Sequence, residues 1–534
     1  MSLKKSRQNE IFTANNVLSD FLEESHPMMI FSKEIYPIFS DEDFKDCYSE
    51  SGRNGISPAF LSAVTLLQWK EQLSDVETAE ACINRLDWKI ALHIPIEEKT
   101  SFDPSTLCYF RKRLKENDKM CLIFDKILQF AIKKDFIQSH TNQRIDATHI
   151  VKHVNRISTT DLLFRTVKTV VDEIKKLDKE YYKEYIPAYI KERYLNRFSS
   201  FGMSKEKRID KQVEIVEDGL LIKKLVEDVK SEKLKEMKQL EIMNTIFKEN
   251  VKIEEVEEDK KKFLKVTEIE CPKQTIFEPS DTSVKLGKKG KTSWVGSKCH
   301  VIETAVKGEI NLITGMIQQK ANENDNKILE KYDEVNEKQG LKPDKIFTDS
   351  NYVSAEAIKN YKEEGQELMG FSQEDTSKKD ENYKLDKFEV DFVNKTAVCP
   401  EKKNSVKCSE QKDGSFRIFF DKKDCQNCDK FSVCVGENKE GKSVRTQNKR
   451  ILHINKNFDI LKERRMKQKE KEFKKEMKVR AQIEGTICEL VRKHGLRKAK
   501  YKGEEGRQLQ FYFAGSALNV DRLIKILKNG KKIG

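Results

Sequence analysis

The 534-residue sequence has no apolar run long enough to cross a bilayer. Its opening, Met1-Ser2-Leu3-Lys4-Lys5-Ser6-Arg7, is not followed by the apolar stretch of a secretory signal. Membrane-spanning and exported classes drop out, and a cytoplasmic protein is expected. Apolar residues are scarce, 37% of the chain against 36% charged, a poorer balance than most globular proteins show. Long solvated helices produce such a balance. Disorder would too, but 29 Phe and 14 Tyr argue for real cores. The length is too great for one ordinary core and suggests three or four domains. The chain has twelve cysteines, and in a reducing compartment they do not make a disulfide framework.

What the sequence does have is positive charge. The net charge is +13, and such a field attracts polyanions, nucleic acid being the commonest. A lysine-rich soluble protein without that role has the same bulk numbers.

Residues 1–30 show little pattern. Helical spacing begins at Ser57-Pro58 with Phe60, Leu61, Val64 and Leu67. A second helix fits Val76 to Arg85. A third follows Phe102-Asp103-Pro104-Ser105-Thr106, with Ser105 as its expected N-cap and Arg111 and Arg113 in its first turns. These arginines either meet DNA or simply solvate the helix. Gln143 to Val151 reads as a strand with Asp146 in its interior, an unfavourable place for a carboxylate. Such conflicts concentrate at functional sites, although an edge-strand aspartate fits equally. Residues 155–265 read as almost wholly helical, with Leu163, Val167, Val170, Ile174 and Leu177 stepping by four, three, four and three. They suggest a coiled-coil hairpin or helical insertion.

Strand character returns at Ser297–Val306 and Glu309–Ile317, a hairpin. A helix from about Asp325 to Gln339 and a strand Lys345–Asp349 follow. Counting the Asp146 strand first, the order builds a mixed sheet flanked by helices. Asp349 closes its strand before Ser350-Asn351-Tyr352, where Asn351 can take a left-handed turn. Phe458 to Arg492 reads as one long charged helix stopped at His494-Gly495. It carries Glu484 four residues after Arg480, which alone reads as a surface ion pair. A basic tail, Arg497, Lys498, Lys500 and Lys502, precedes a last helix that includes Leu518, Val520, Leu523 and Ile524.

Two-metal phosphoryl transfer needs a few carboxylates around cations roughly 3.5–4 Å apart. Magnesium prefers hard oxygen ligands. Asp146, Asp349 and Glu484 are the candidates, and they persuade only as a set.

As an ordered set, five stretches resemble the Asp-Asp-Glu (DDE) transposases of bacterial insertion sequences, closest to the family eleven-eighty-two branch. They are the Ser57–Leu114 helices, Arg144-Ile145-Asp146-Ala147-Thr148-His149, the hairpin around His300, Thr348-Asp349-Ser350-Asn351-Tyr352, and Arg480 to Tyr501. The fifth includes Ile483-Glu484-Gly485-Thr486 and His494-Gly495-Leu496-Arg497-Lys498. The resemblance implies an α/β multi-domain protein whose ribonuclease-H-like core is built from 140–154, 275–375 and 450–525. It implies an N-terminal segment (1–49), a helical DNA-binding domain (50–135), a helical insertion (155–270) and a Cys-containing insertion (376–449).

It further implies that Asp146, Asp349 and Glu484 are the catalytic, Mg2+- or Mn2+-binding acids. Arg480 then matches the arginine of the Tyr-Arg-Glu-Lys signature, while Met477 replaces its tyrosine and Val491 its lysine, with Arg492 and Lys493 adjacent. Asn351 stands where glycine is usual. Double-stranded DNA, both the element's terminal inverted repeats and the target, is the implied partner of Arg111, Arg113, Arg480, Arg492, Lys493, Arg497, Lys498, Lys500 and Lys502. A homodimer on DNA and a place at the nucleoid, away from membranes, follow by the same resemblance. In the Cys insertion, Cys399, Cys425, Cys428 and Cys434, with Cys408 to spare, suit a structural Zn2+. Reduced thiols in a small sheet fit the same residues. A nuclease of this fold without strand transfer, a transposase-derived DNA-binding protein without catalysis, and a coiled-coil scaffold are the alternative readings.

Overall fold

The computed structural model describes residues 22–49, 55–99, 102–151, 157–229, 231–258, 261–269, 274–373, 380–435 and 449–530. Its strands are β1 (Gln143–Val151), β2 (Val251–Glu258), β3 (Lys261–Glu268), β4 (Lys285–Lys289), β5 (Thr292–Thr304), β6 (Ile313–Lys320), β7 (Lys345–Phe347), β8 (Glu367–Met369), β9 (Glu389–Asp391), β10 (Thr396–Val398), β11 (Ser405–Glu410), β12 (Phe416–Phe420) and β13 (Ile451–Ile454). Among the described residues no helix is long and apolar enough to cross a membrane.

The central sheet holds β4 to β8 together with β1. β5 runs antiparallel to β1, with Asp146 opposite Val301, and β6 runs antiparallel to β5. On the other side of β1 lie β7 and then β8, both parallel. The fold is thus a mixed α/β sheet, as the strand order suggests. One face carries Ile145, Ile302 and Ile317 into a core with Tyr352 and with Tyr332 and Ile358 of the Leu329–Gln339 and Ala355–Glu363 helices. The opposite face meets the C-terminal helix.

That helix, Gly503–Lys528, organises the molecule. Phe511, Phe513, Ala514, Leu518 and Leu523 are buried on it. It packs against the Pro58–Glu71 and Leu122–Lys133 helices on one side and β6 on the other. Burying each large side chain is worth about 1.5–3 kcal/mol. A Cβ at Gly515 would meet Met316 Sδ at 2.4 Å. Glycine there, although a poor helix former, is what lets sheet and helix approach. The N-terminal helices and the sheet therefore share one core, with no gap in packing near residues 135–140.

At the N-terminal side Ser57 caps the Pro58–Glu71 helix, its hydroxyl accepting from Phe60 N at 3.1 Å. Ser105 does not cap its helix. It is the first residue of Ser105–Glu116, and its own amide donates to Asp103 Oδ1 at 2.8 Å.

The insertion after β1 has a core of its own, with Leu163, Val167, Val170 and Ile174 buried as their spacing suggests. It is not wholly helical. Its last part is the antiparallel β2–β3 hairpin, because Val251, Ile253 and Val256 favour the extended chain over the helix. The Phe458–Arg492 run is also not one helix. It divides into Phe458–Lys467, Lys471–Met477, a 3-10 turn Lys478–Gln482 and Ile483–Arg492. Phe458 enters the core of the Cys module, whereas Phe473 and Met477 enter a cluster with Phe347 and Met369. A straight helix could not reach both. The Cys module is two small sheets, β9–β10 and β11–β12–β13. β13 carries it past residue 449.

Candidate active site

Asp146 lies on β1, and its Oδ1 accepts from its neighbour's amide, Ala147 N, at 2.7 Å. Its Oδ2 receives Arg480 Nη1 at 3.2 Å. Burial pushes the Asp146 carboxyl above the usual aspartate value, and the nearby charge of Asp349 adds to that. The Ala147 amide, Arg480 and Lys289 oppose it. The two aspartates, far apart in sequence, thus sense one another across the β1–β7 pairing.

Asp349 follows β7 and caps the Ser350–Tyr352 turn, accepting from Ser350 N at 2.7 Å. The turn is 3-10, and Asn351 is not in the left-handed region, contrary to the sequence expectation. Three successive residues close this turn within ordinary right-handed backbone, so no glycine-like residue is needed. Tyr352 anchors it. The Tyr352 hydroxyl lies 2.7 Å from His300 Nδ1, and His300 Nε2 lies 3.0 Å from Gln319 Oε1. Gln319 Oε1 can only accept, so Nε2 carries the proton and Tyr352 donates to Nδ1. Burial depresses His300 to about 4.

Glu484 is the second residue of the Ile483–Arg492 helix. Its side chain is 69% exposed, and Arg480 Nη2 stands 3.8 Å from its Oε1. Arg480 therefore faces Asp146 and Glu484 together. A buried network fixes this helix to the sheet. Glu303, fully buried on β5, accepts from Arg144 Nε at 2.6 Å, Thr486 Oγ1 at 2.7 Å and Arg522 Nη1 at 3.0 Å. Arg144 also donates to Val479 O at 2.9 Å and Gln482 Oε1 at 2.8 Å. Arg144 precedes Asp146 by two residues and Thr486 follows Glu484 by two, so one network sets both acids. The sequence reading missed Glu303 and Arg522. Their only signal was a charge inside an apolar strand and another inside an apolar helix.

Hard carboxylate donors suit a divalent cation, and the Asp146–Asp349 pair has the mutual repulsion that a cation would relieve. Glu484 stands off behind Arg480. Among the described residues, no three His, Cys, Asp or Glu side chains converge as a metal-holding group. The pair fits the metal in chemistry, and closing the set requires Glu484 and Arg480 to move.

The expected DNA-contacting residues divide. Arg111 is buried, with bidentate donation to Asp75 at 2.9 and 2.5 Å, and it lies over the Tyr501 ring. Arg113 lies over Tyr48 at 4.8 Å. Arg497 donates to His149 O at 2.6 Å, and its neighbours pair with Val151, so the 497–499 segment is sewn to the end of β1. Arg492, Lys498 and Lys502 are exposed. Lys493 pairs with Glu489 at 3.1 Å, and Lys500 sits over Trp69 at 4.3 Å.

A cavity of about 450 Å³ adjoins the aspartates. None of the three acids lines it, but their neighbours Ala147, His149, Ser350 and Asn351 do, together with Lys288, Lys289 and Trp294. The four expected zinc ligands, Cys399, Cys425, Cys428 and Cys434, line another, much smaller cavity together.

The mixed sheet thus carries two neighbouring aspartates, with the Glu484 helix fixed beside it. The model of a transposase DDE domain matches residues 398–524, and that of a transposase domain, DUF772, matches residues 16–113. Comparison with curated proteins and with solved structures gives no match. Both matches are to transposase domains, and neither spans half of the chain. The DDE match takes in Glu484 and all four cysteines; Asp146 and Asp349 lie between the two matches.

Proposed function

We propose that the chain cleaves DNA at the terminal repeats of an insertion sequence and joins the freed ends to target DNA. Asp146, Asp349 and Glu484 are the catalytic acids of this reading, on a ribonuclease-H-like core. The observation that carries it is the placing of Asp146 and Asp349 just beyond the paired Arg144 and Phe347 of β1 and β7, with Arg480 linking Asp146 to Glu484. The strand order β6-β5-β1-β7-β8, with three antiparallel strands followed by two parallel ones, supports the core assignment. Mg2+ or Mn2+ held by the acids would supply Lewis-acid activation and charge stabilisation for phosphoryl transfer. The chain's own part is to hold the carboxylates in place through Glu303 and Arg144, and to keep Asp146 ionised through Arg480.

Arg492, Lys498 and Lys502 are the exposed cations proposed to grip backbone phosphates, which positions DNA without reading its sequence. Arg111 is left out of that surface, since its guanidinium is spent on Asp75. A homodimer and the eleven-eighty-two branch belong to this proposal as well.

The test is cleavage and strand transfer on duplexes carrying the element's own ends, with magnesium. Wild type is compared with Asp146→Asn, Asp349→Asn and Glu484→Gln. Each variant is expected to bind DNA and lose cleavage by at least about a hundredfold, the low end of what a single positioned catalytic group contributes. A variant with full activity removes that acid from the site. A wild type that joins nothing but cuts supports the nuclease alternative.

A further inference from the structure

We infer that the tip of the β4–β5 hairpin is a phosphate clamp that holds the backbone of duplex DNA beside the aspartates. The inference rests on the transposase reading above and names a surface that reading does not contain.

The hairpin turns at Gly290-Lys291 between paired Lys289 and Thr292. Gly290 has φ +58, which permits the tight turn. β1 ends opposite Gly296, so the residues from Lys285 to Val295 project past it. Lys288, Lys289 and Lys291 are exposed on this projection. No ion pair occupies Lys288 or Lys289 among the described residues, unlike Lys298, which is held by Asp325 at 2.7 Å. Lys288 and Lys289 line the cavity together with Ser350 and Asn351.

The hairpin's placement is built in. Trp294 is 9% exposed and lies against His149 of β1, with ring centres 5.0 Å apart. On the paired strand a Cβ at Gly287 would meet Trp294 Cζ2 at 2.3 Å. The indole is therefore wedged between Gly287 and His149, three residues beyond Asp146. A rigid projection that carries unpaired ammonium groups at a fixed place near two carboxylates suits a polyanion that must present one phosphodiester to those carboxylates. Lys288 and Lys289 both border the cavity, so the two ammonium groups are available to separate phosphates of one backbone.

The experiment measures the salt dependence of binding by the full chain to a random-sequence 40-base-pair duplex and to the matching single strand. Each phosphate neutralised contributes a slope of about 0.9 on duplex DNA. Lys288→Ala/Lys289→Ala is expected to lower the duplex slope by about 2, and Lys288→Arg/Lys289→Arg to restore it. Lys233→Ala/Lys235→Ala, which removes the same charge from exposed positions in the insertion, should leave the slope unchanged. Gly287→Ala keeps both lysines but forces β4 away from Trp294 of β5, and should reproduce the loss. A wild-type slope in both the double alanine variant and Gly287→Ala overturns the clamp while leaving the transposase reading standing. A loss confined to the single strand overturns its assignment to duplex DNA. A wild type that binds neither probe overturns both readings.

Discussion

Arg480 Nη1 stands 3.2 Å from Asp146 Oδ2, a contact that joins those of Arg144 in tying the glutamate-bearing segment to the first aspartate strand. The Asp146 carboxyl is raised by burial and by Asp349, and Arg480 works against both. Removing the guanidinium must raise it further. Catalysis through Asp146 needs the carboxylate, so activity falls as pH drops through its pKa. Arg480→Gln should move the acidic limb of the cleavage profile to higher pH, with roughly tenfold lost on the limb per unit moved. Arg480→Lys, which keeps the charge, should move it less. An unmoved limb in Arg480→Gln would show that Arg480 does not govern the ionisation of Asp146.

The same shift makes a claim about stability. A carboxyl raised on folding prefers its proton in the folded state. Its favourable contribution is complete below the unfolded aspartate value and is lost as pH rises through the folded value. At neutral pH Asp146 therefore strains the fold. Asp146→Asn should stabilise the protein at pH 7.5 by about 1 kcal/mol, the scale of common function-for-stability exchanges. The gain should vanish towards pH 3. Thermal unfolding at both pH values checks this, and a destabilised variant at pH 7.5 contradicts it.

Glu303 is the hub of the positioning network, with Arg144 and Arg522 both nearly or largely buried around it. Glu303→Gln leaves two guanidinium groups without their shared anion. Breaking a buried pair of this kind costs about 3–5 kcal/mol. Denaturant unfolding should show that loss, and cleavage should suffer more than DNA binding because the Glu484 helix loosens. A change under about 0.5 kcal/mol would mean that water or a neighbour replaces the carboxylate.

What could be read from the sequence follows from range. Asp146 stood out because it broke a local rule inside a strand, and Asp349 because it closes an apolar strand before a turn. The Ser57 cap and the Leu163 to Ile174 stripe needed only neighbouring residues to be seen. Ser105 was misplaced because Asp103, two residues earlier, accepts the Ser105 amide and the helix begins at Ser105 itself. The Phe458–Arg492 breaks were hidden, since it is their separate burial sites, not their helix propensity, that bend the chain. Arg111 looked like a surface cation because nothing local announces Asp75. The β4–β5 lysines were overlooked because the strand seemed to begin at Ser297, and their meaning depends on Trp294 reaching His149 across the sheet.

The Cys module offers a test of its own. Cys399, Cys425, Cys428 and Cys434 line one small cavity. Burial raises the Cys425 thiol, and the nearness of Cys399 and Cys428 adds to that. As placed, no three of them converge as a metal-holding group, so zinc binding requires the cysteines to draw together, and a cation would then convert them to thiolates. The full chain, purified in reductant with zinc supplied, is expected to hold on the order of one zinc ion. Cys425→Ser/Cys428→Ser should lose it, and a chelator should lower the unfolding temperature of wild type alone. Zinc-free protein with an unchanged melting curve leaves the cysteines as reduced core thiols.

His300 links β5 to the Asp349 turn through Tyr352, and its ionisation sets an acid limit on the fold. Tyr352 and Gln319 use both ring nitrogens, Asp325 favours the imidazolium, and Lys298 and burial oppose it. Burial dominates, and the folded value is about 4. A depressed histidine contributes stability that is fully present above its unfolded value of about 6.5 and is lost as pH falls through the folded value. Between those limits the unfolded chain takes up a proton that the native Tyr352–His300–Gln319 chain refuses. Wild type should therefore lose on the order of 3 kcal/mol between pH 7.5 and pH 4 from this residue. His300→Gln should be less stable at pH 7.5, because Tyr352 loses its acceptor, but its stability should fall less steeply on acidification. Equal slopes in the two proteins would place the acid sensitivity elsewhere, and His300 would then be a packing residue only.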